Sequence, residues 1–427
     1  MILVFISALI VLTIINKYIA NSFLYPPAIF TALWAGLLFA LMLSGDTFYP
    51  ISLETLFLYF LGAFAFSLGG IMALLLVFRG KRGKHVVISE QRRIFVQRML
   101  KLGLTILVIA FPFYLLRLYQ LSAASGLENF WIGLRYQTTY GTGEKFGIFS
   151  YLIATARFMA LTAFYENYYS RSNRFLTYII IIMAFIYDLL TAARLGAMLL
   201  LFGLIGIAWI CSGKITWKPI CIGVLAFLPL FSIAAILLGK GGNLNATFSE
   251  NLLGVLKSLQ VYTLGGLVAF NKAINSPLSF DDSYIPTLRF FFAVANRFGA
   301  NFDLPTFNTQ FTLTPEPTNV YTIYFSYFLD FGWTGVIIIM FGLGLLLTLI
   351  YRTAIRGNPQ GVILYGMMLG ALMVSNANEA FLTSLSYWLQ GILFTSLLYR
   401  WPLVTSREKL LNVNVSENPI NMRIYRV

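Results

Sequence analysis

Residues 56–98 read LFLYFLGAFAFSLGGIMALLLVF followed at once by RGKRGKHVVISEQRRIFVQR. The first half, 56–78, carries no charge, and a bilayer core about 30 Å thick is crossed by about 20 mostly apolar residues. The second half holds Arg79, Lys81, Arg82, Lys84, Arg92, Arg93 and Arg98 against the single acid Glu90. Short loops this basic stay on the cytoplasmic side of a membrane. One span and its orientation are therefore set by one stretch.

Working outward, the same rule predicts about eleven spans in an all-α, polytopic integral membrane protein. They cover 1–19, 27–44, 56–78, 99–118, 148–166, 175–191, 195–212, 219–239, 331–351, 360–376 and 380–399. With the N-terminus outside, roughly twenty of the Lys and Arg residues fall at cytoplasmic ends, beside about four acids. The outer ends and loops hold about nine bases and about twelve acids. Residues 1–427 are expected to form a single membrane domain. Its parts are a basic cytoplasmic loop (79–98), a large outer loop with interfacial helices (240–318) and a cytoplasmic tail (400–427).

Composition agrees and excludes. A hydrophobic fraction of 59% with 11% charged residues lies far from the soluble average. The net charge of +14 then reflects contact with anionic lipid headgroups and says nothing about nucleic acid. Lys17 follows the first apolar run instead of preceding it, so that run is expected to be retained as a helix. Cys211 and Cys221 flank the short cytoplasmic turn at 214–218 and provide no disulfide framework. His85 is the one histidine and lies in the basic loop, which removes His-ligated zinc and every imidazole-dependent triad. No Walker A pattern occurs, and internal repeats are not evident. No metal and no cofactor is called for.

The outer side carries the specific residues. Residues 119–147 include Trp131, Arg135, Tyr136, Tyr140, Gly141, Gly143 and Gly147. A tight outer turn, Thr191-Ala-Ala-Arg194-Leu-Gly196, leaves Arg194 at the interface. Inside the large loop, Leu252–Phe270 and Tyr284–Val294 are apolar but broken by Gly, Lys and Pro, which predicts interfacial or re-entrant helices. Arg157 falls near the middle of the fifth span, where an arginine must face the bundle or a water-filled cavity. Asp188 lies about one turn below the outer end of the sixth span and serves either function or a basic neighbour. Asp330 is expected to cap the outer start of the ninth span, and Glu379 to occupy the turn between the tenth and eleventh.

Pro315-Glu-Pro-Thr-Asn-Val-Tyr-Thr322, followed by Tyr327-Phe-Leu-Asp-Phe-Gly-Trp-Thr-Gly335, resembles the end of the large periplasmic loop in oligosaccharide repeat-unit polymerases, the Wzy family of O-antigen and capsule assembly. Tyr140-Gly-Thr-Gly143 beside Arg135 is similar to the same family, as is the layout of many helices with one large late loop. Motif resemblance covers some 40 residues, roughly a tenth of the chain, while the layout covers all of it. One departure stands out. Some members carry an Arg and a Gly with ten residues between them in each of two periplasmic loops, and neither Arg135, Arg289 nor Arg297 has Gly at that spacing.

The resemblance implies a fold like the GT-C membrane glycosyltransferases and a place in the bacterial inner membrane. It implies that a glycan on undecaprenyl pyrophosphate is transferred to the non-reducing sugar of a lipid-linked repeat unit, at the periplasmic face. Undecaprenyl-pyrophosphate-linked glycans and membrane lipids would be the partners, with a chain-length regulator and flippase of the same pathway. A diphosphate leaving group calls for fixed positive charge, for which Arg135, Arg157, Arg194, Arg289 and Arg297 are the candidates. The attacking hydroxyl needs a carboxylate, and Asp330 and Glu316 are the expected bases, with Glu379 and Asp188 behind them. Tyr321, Tyr327 and Trp333 are expected to stack on sugar rings, with Tyr324 beside them. Three alternatives remain open at this point: a lipid-linked oligosaccharide flippase or other transporter, a structural membrane partner of a polysaccharide assembly complex, and an O-antigen ligase. Ligases use a His in the large loop, where this chain has none.

Overall fold

The computed structural model describes residues 1–76, 88–140, 146–170, 173–223, 247–275, 286–302 and 311–400, together with the isolated residues 225, 229, 232 and 304. Residues 79–87 of the basic loop with His85, the tail beyond Arg400, Lys240, Gly141 and Gly143 lie outside the described residues, as does most of the expected span 219–239.

Helix dominates. The helices are α1 (Ile2–Ala20), α2 (Pro26–Leu43), α3 (Leu53–Leu76), α4 (Glu90–Ala123), α5 (Phe130–Tyr140), α6 (Phe149–Ser170), α7 (Arg174–Leu189) and α8 (Arg194–Ser212). After residues 213–247 come α9 (Phe248–Asn275), α10 (Arg289–Arg297), α11 (Tyr324–Ile355), α12 (Pro359–Met373) and α13 (Leu385–Tyr399). Among the described residues the only strands are β1 (Thr312–Leu313) and β2 (Pro317–Thr318), paired antiparallel with Thr312 opposite Thr318. Seven of the described helices, α1–α4, α8, α9 and α11, are long and apolar enough to cross a membrane, so the chain is a polytopic, all-α membrane protein. The expected spans at 175–191, 360–376 and 380–399 appear as α7, α12 and α13, with 16, 15 and 15 residues. α6 has 22 residues, but Arg157, Glu166 and Asn167 dilute its apolar character.

Local signals set the ends. Pro26 and Pro27 open α2 where missing backbone N–H groups cost nothing. The Ser89 hydroxyl accepts from Arg92 N to start α4, and the Asn358 side chain accepts from Gly361 N ahead of Pro359 to start α12. Close helix contact rests on small residues. A Cβ on Gly344 of α11 would run into the Phe66 backbone of α3, and one on Gly370 of α12 into the Leu199 carbonyl of α8. Buried polar groups pair between helices: the Thr13 hydroxyl donates to Thr31 Oγ1 at 2.9 Å and Asn16 Nδ2 to Ser67 Oγ at 2.9 Å.

Contacts along the helices fix their relative directions. Gly203 meets Gly366 while Leu199 meets Gly370, so α8 runs against α12, and the short connection 21–25 returns α2 along α1, where Thr13 meets Thr31. Phe158 meets Gly391 while Glu166 meets Tyr399, so α6 and α13 run together. The starts of α3, α6, α8, α11 and α13 thus gather at one end of the bundle with the ends of α2, α7 and α12. In the sequence reading this is the outer end.

The apolar stretch 252–270, expected as an interfacial or re-entrant helix, lies within α9, one uninterrupted helix of 28 residues. Its partners nevertheless all sit at the outer end. Tyr59 Oη donates to Leu267 O (2.8 Å), Thr55 Oγ1 to Asn271 Oδ1 (2.8 Å) and Asn376 Nδ2 to Thr263 O (2.7 Å). The helix is therefore laid across the ends of its neighbours, as an interfacial element is. Gly266 permits this, since a Cβ there would strike the Asn376 carbonyl. α11 begins at Tyr324, seven residues before the expected span, and bends at Gly332, whose φ of 62° suits only glycine. Asp330 consequently lies inside the helix and does not cap it.

Candidate functional site

A cavity of about 610 Å³ opens at the outer end of the bundle, roofed by α9 and the 316–322 segment. Its basic wall is Arg135 from α5 and Arg194 from the first turn of α8. The two guanidinium groups lie near enough for each charge to act on the other, and both act on Tyr262 of α9. Arg194 Nη1 also reaches Ser258 Oγ at 3.4 Å. The lining also carries Glu316 and Glu379, with Asn319, Tyr321, Ser326, Asn378 and Thr383.

Glu379 is the better-held acid. Its Oε1 accepts from Tyr327 Oη (2.5 Å), Phe381 N (2.7 Å) and Leu382 N (2.9 Å), and Oε2 accepts from Thr383 N (2.7 Å). The carboxylate thereby organises the turn leading into α13, as an acid does at a helix start. Among the described residues, Oε2 takes only the Thr383 donor, which leaves it acceptor capacity for one more hydrogen. Glu316 sits at the mouth, its Oε1 2.8 Å from Lys257 Nζ, with both side chains largely exposed. Tyr321 packs its ring on Phe325 (centroids 4.0 Å) and shares a hydrogen bond with Thr312 (2.9 Å). Burial pushes its phenol above the usual range, so it meets a ligand as a neutral hydroxyl.

Several expected residues sit elsewhere. Arg157 does face the bundle, but there it meets Asp188: Nη2 donates to Oδ1 at 2.6 Å, and Nε donates to both oxygens at 2.9 and 3.0 Å. The pair is packed against Gly196, where a Cβ would collide with both side chains. The Asp188 carbonyl accepts from the Thr191 hydroxyl (2.7 Å), which in turn accepts from Ala193 N (3.2 Å). Arg157 and Asp188 thus fix the turn that delivers Arg194, from beneath and outside the cavity lining. Asp330 Oδ2 accepts from Thr287 N at 2.9 Å and holds the 286–288 turn, whose Pro286 lines the cavity, while Asp330 itself is not among the lining residues. Tyr327 is fully buried, so it cannot offer a face to a sugar, and instead positions Glu379. Trp333 lies past the Gly332 bend against Phe57. Arg297 is exposed at the end of α10, and Arg289, at its start, is not among the residues lining the cavity.

Tyr262, Ser258, Asn378 and Thr383 were missed as site residues. The polar cluster Asn376-Ala-Asn-Glu379 between two apolar runs was the legible sign of the last pair. Tyr262 and Ser258 had no such sign, because only the placement of α9 brings them to Arg194. Among the described residues no cluster of His, Cys, Asp and Glu is fit to hold a metal ion. The chain matches no family model, no curated protein and no solved structure.

Proposed function

We propose that this chain is a membrane glycosyltransferase that polymerises undecaprenyl-pyrophosphate-linked oligosaccharide repeat units, as in O-antigen or related surface polysaccharide assembly. The observation that carries the reading is the outer cavity itself. Two arginines and two carboxylates line one space together with hydroxyl and amide groups. Guanidinium groups clamp a diphosphate, carboxylates and amides hold sugar hydroxyls, and the volume is of the size that small-ligand sites use.

On this reading the acceptor hydroxyl oxygen forms a bond to the anomeric carbon of the donor glycan while that carbon's bond to the pyrophosphate oxygen breaks. The leaving diphosphate takes the electron pair and is neutralised by Arg135 and Arg194. Glu379 Oε2 takes the hydroxyl proton, and Glu316 orients sugar at the mouth. The finer architecture belongs to the same proposal: eleven crossings in a GT-C-like arrangement, in the bacterial inner membrane. The N-terminus and the 240–318 loop would be periplasmic, and 79–98 and 400–427 cytoplasmic. A flippase and a chain-length regulator would be its working partners.

Gene deletion tests the function. It should leave surface lipopolysaccharide bearing a single repeat in place of a ladder of lengths. A gel with no capped core at all would instead assign the chain to flipping or ligation.

A further inference from the structure

A second cavity, of about 560 Å³, runs down the bundle between α7, α8 and the helical residues 217–223, and its lining is almost wholly apolar. Arg194 lines both this groove and the polar cavity, so the two spaces meet at one guanidinium. Phe185 and Leu189 of α7 face Ala197, Leu201 and Leu204 of α8, and the groove ends near Ala208 and Lys218. From Arg194 to Ala208 is about 21 Å along α8 at 1.5 Å per residue. One leaflet of a bilayer core is about 15 Å deep. The groove therefore follows a chain longer than one leaflet's acyl tail, and it starts at a cation.

Resting on the reading above, we propose that this groove holds the polyprenyl tail of the lipid diphosphate, with Arg194 gripping the diphosphate where tail and headgroup join. The charged end matches the guanidinium, and the tail is continuous with a cavity able to take the glycan. Such a groove would thread the donor into position by its length as well as its charge.

The test uses the full chain, purified in lipid nanodiscs, and undecaprenyl diphosphate carrying a photoreactive group near the tail end. Crosslinks should map to Leu204, Ile205 and Ala208, and should be competed by unlabelled undecaprenyl diphosphate but not by phosphatidylglycerol or inorganic pyrophosphate. Ala208→Phe narrows the deep end and should weaken undecaprenyl diphosphate binding about tenfold. It should leave farnesyl diphosphate, too short to reach that depth, unchanged. Ile338→Trp, on the exposed flank of α11, should change neither. Crosslinks outside α7 and α8, or equal competition by phosphatidylglycerol, would overturn the proposal. Binding of both diphosphates with equal affinity, indifferent to Ala208→Phe, would remove the groove alone. Failure of either diphosphate to bind would remove the diphosphate reading with it.

Discussion

Breaking the Arg157–Asp188 pair separates support from chemistry. Asp188 is fully buried and takes three N–H···O contacts of 2.6–3.0 Å from one guanidinium. Replacing Arg157 with Met keeps most of the side-chain volume but leaves a buried carboxylate with no cation. Removing one partner of such a pair costs about 3–5 kcal/mol, because the remaining charge is desolvated and uncompensated. Arg157→Met should therefore lower thermal stability in detergent strongly and abolish polymer in cells. Adding Asp188→Leu removes the stranded charge, and apolar replacement of a whole buried pair is often neutral or stabilising. The double variant should recover most of the stability. If Arg157 only fixes the Thr191–Ala193 turn, the double variant should recover part of the ladder as well. Full stability with no polymer would mean that Arg157 touches substrate. A stable Arg157→Met single variant would refute the premise that the pair is load-sharing between α6 and α7.

Three further outcomes follow from the cavity and the topology. Arg194→Ala should eliminate polymer, and Arg194→Lys should fall steeply too, since an ammonium cannot make the bidentate fork; normal ladders from either would take Arg194 out of the site. Glu379→Gln should lose at least about a hundredfold in rate, the usual worth of a general base, while Asp330→Asn should retain activity; the reverse result would reinstate Asp330. Cysteine placed at Phe298, which is 88% exposed on the outer side, should react with a membrane-impermeant maleimide in intact cells, and cysteine at Trp217, 77% exposed at the other end, should not. Labelling of the Trp217 position would invert the orientation.

The fold was legible where physics is local. Apolar length and loop charge depend on composition alone, so α1 to α4, α8 and α11 could be drawn from runs such as 56–78. Arg157 was legible as a bundle-facing cation, because a mid-membrane arginine has few other places to go. Its partner was less so: Asp188 is distant in sequence, and only the antiparallel packing of α6 on α7 joins them. Asp330 was misread for a related reason. The apolar count begins at Phe331, yet the helix begins at Tyr324 because its first turns are buried under α9 and need no membrane. Tyr327 and Trp333 looked alike as aromatic candidates, and the Gly332 bend sent one beneath Glu379 and the other towards α3.

On the proposed reaction, the positions of the two acids favour one of them as base. Glu316 is at the mouth, and its exposed pairing with Lys257 is worth roughly 0–1 kcal/mol, so its carboxylate is not held in one place. A proton acceptor for a sugar hydroxyl needs a fixed oxygen within about 3 Å of it and reach towards the reacting carbon. Glu379 has that fixity, because three backbone N–H groups and Tyr327 determine its direction. Replacing Tyr327 with Phe removes only the hydroxyl from a fully buried ring. If Glu379 is the base, Tyr327→Phe should lower turnover while leaving insertion, accumulation and lipid-diphosphate binding intact. Unchanged turnover would mean that the backbone donors alone orient the carboxylate, and a loss of accumulation would make the Tyr327–Glu379 bond a structural one.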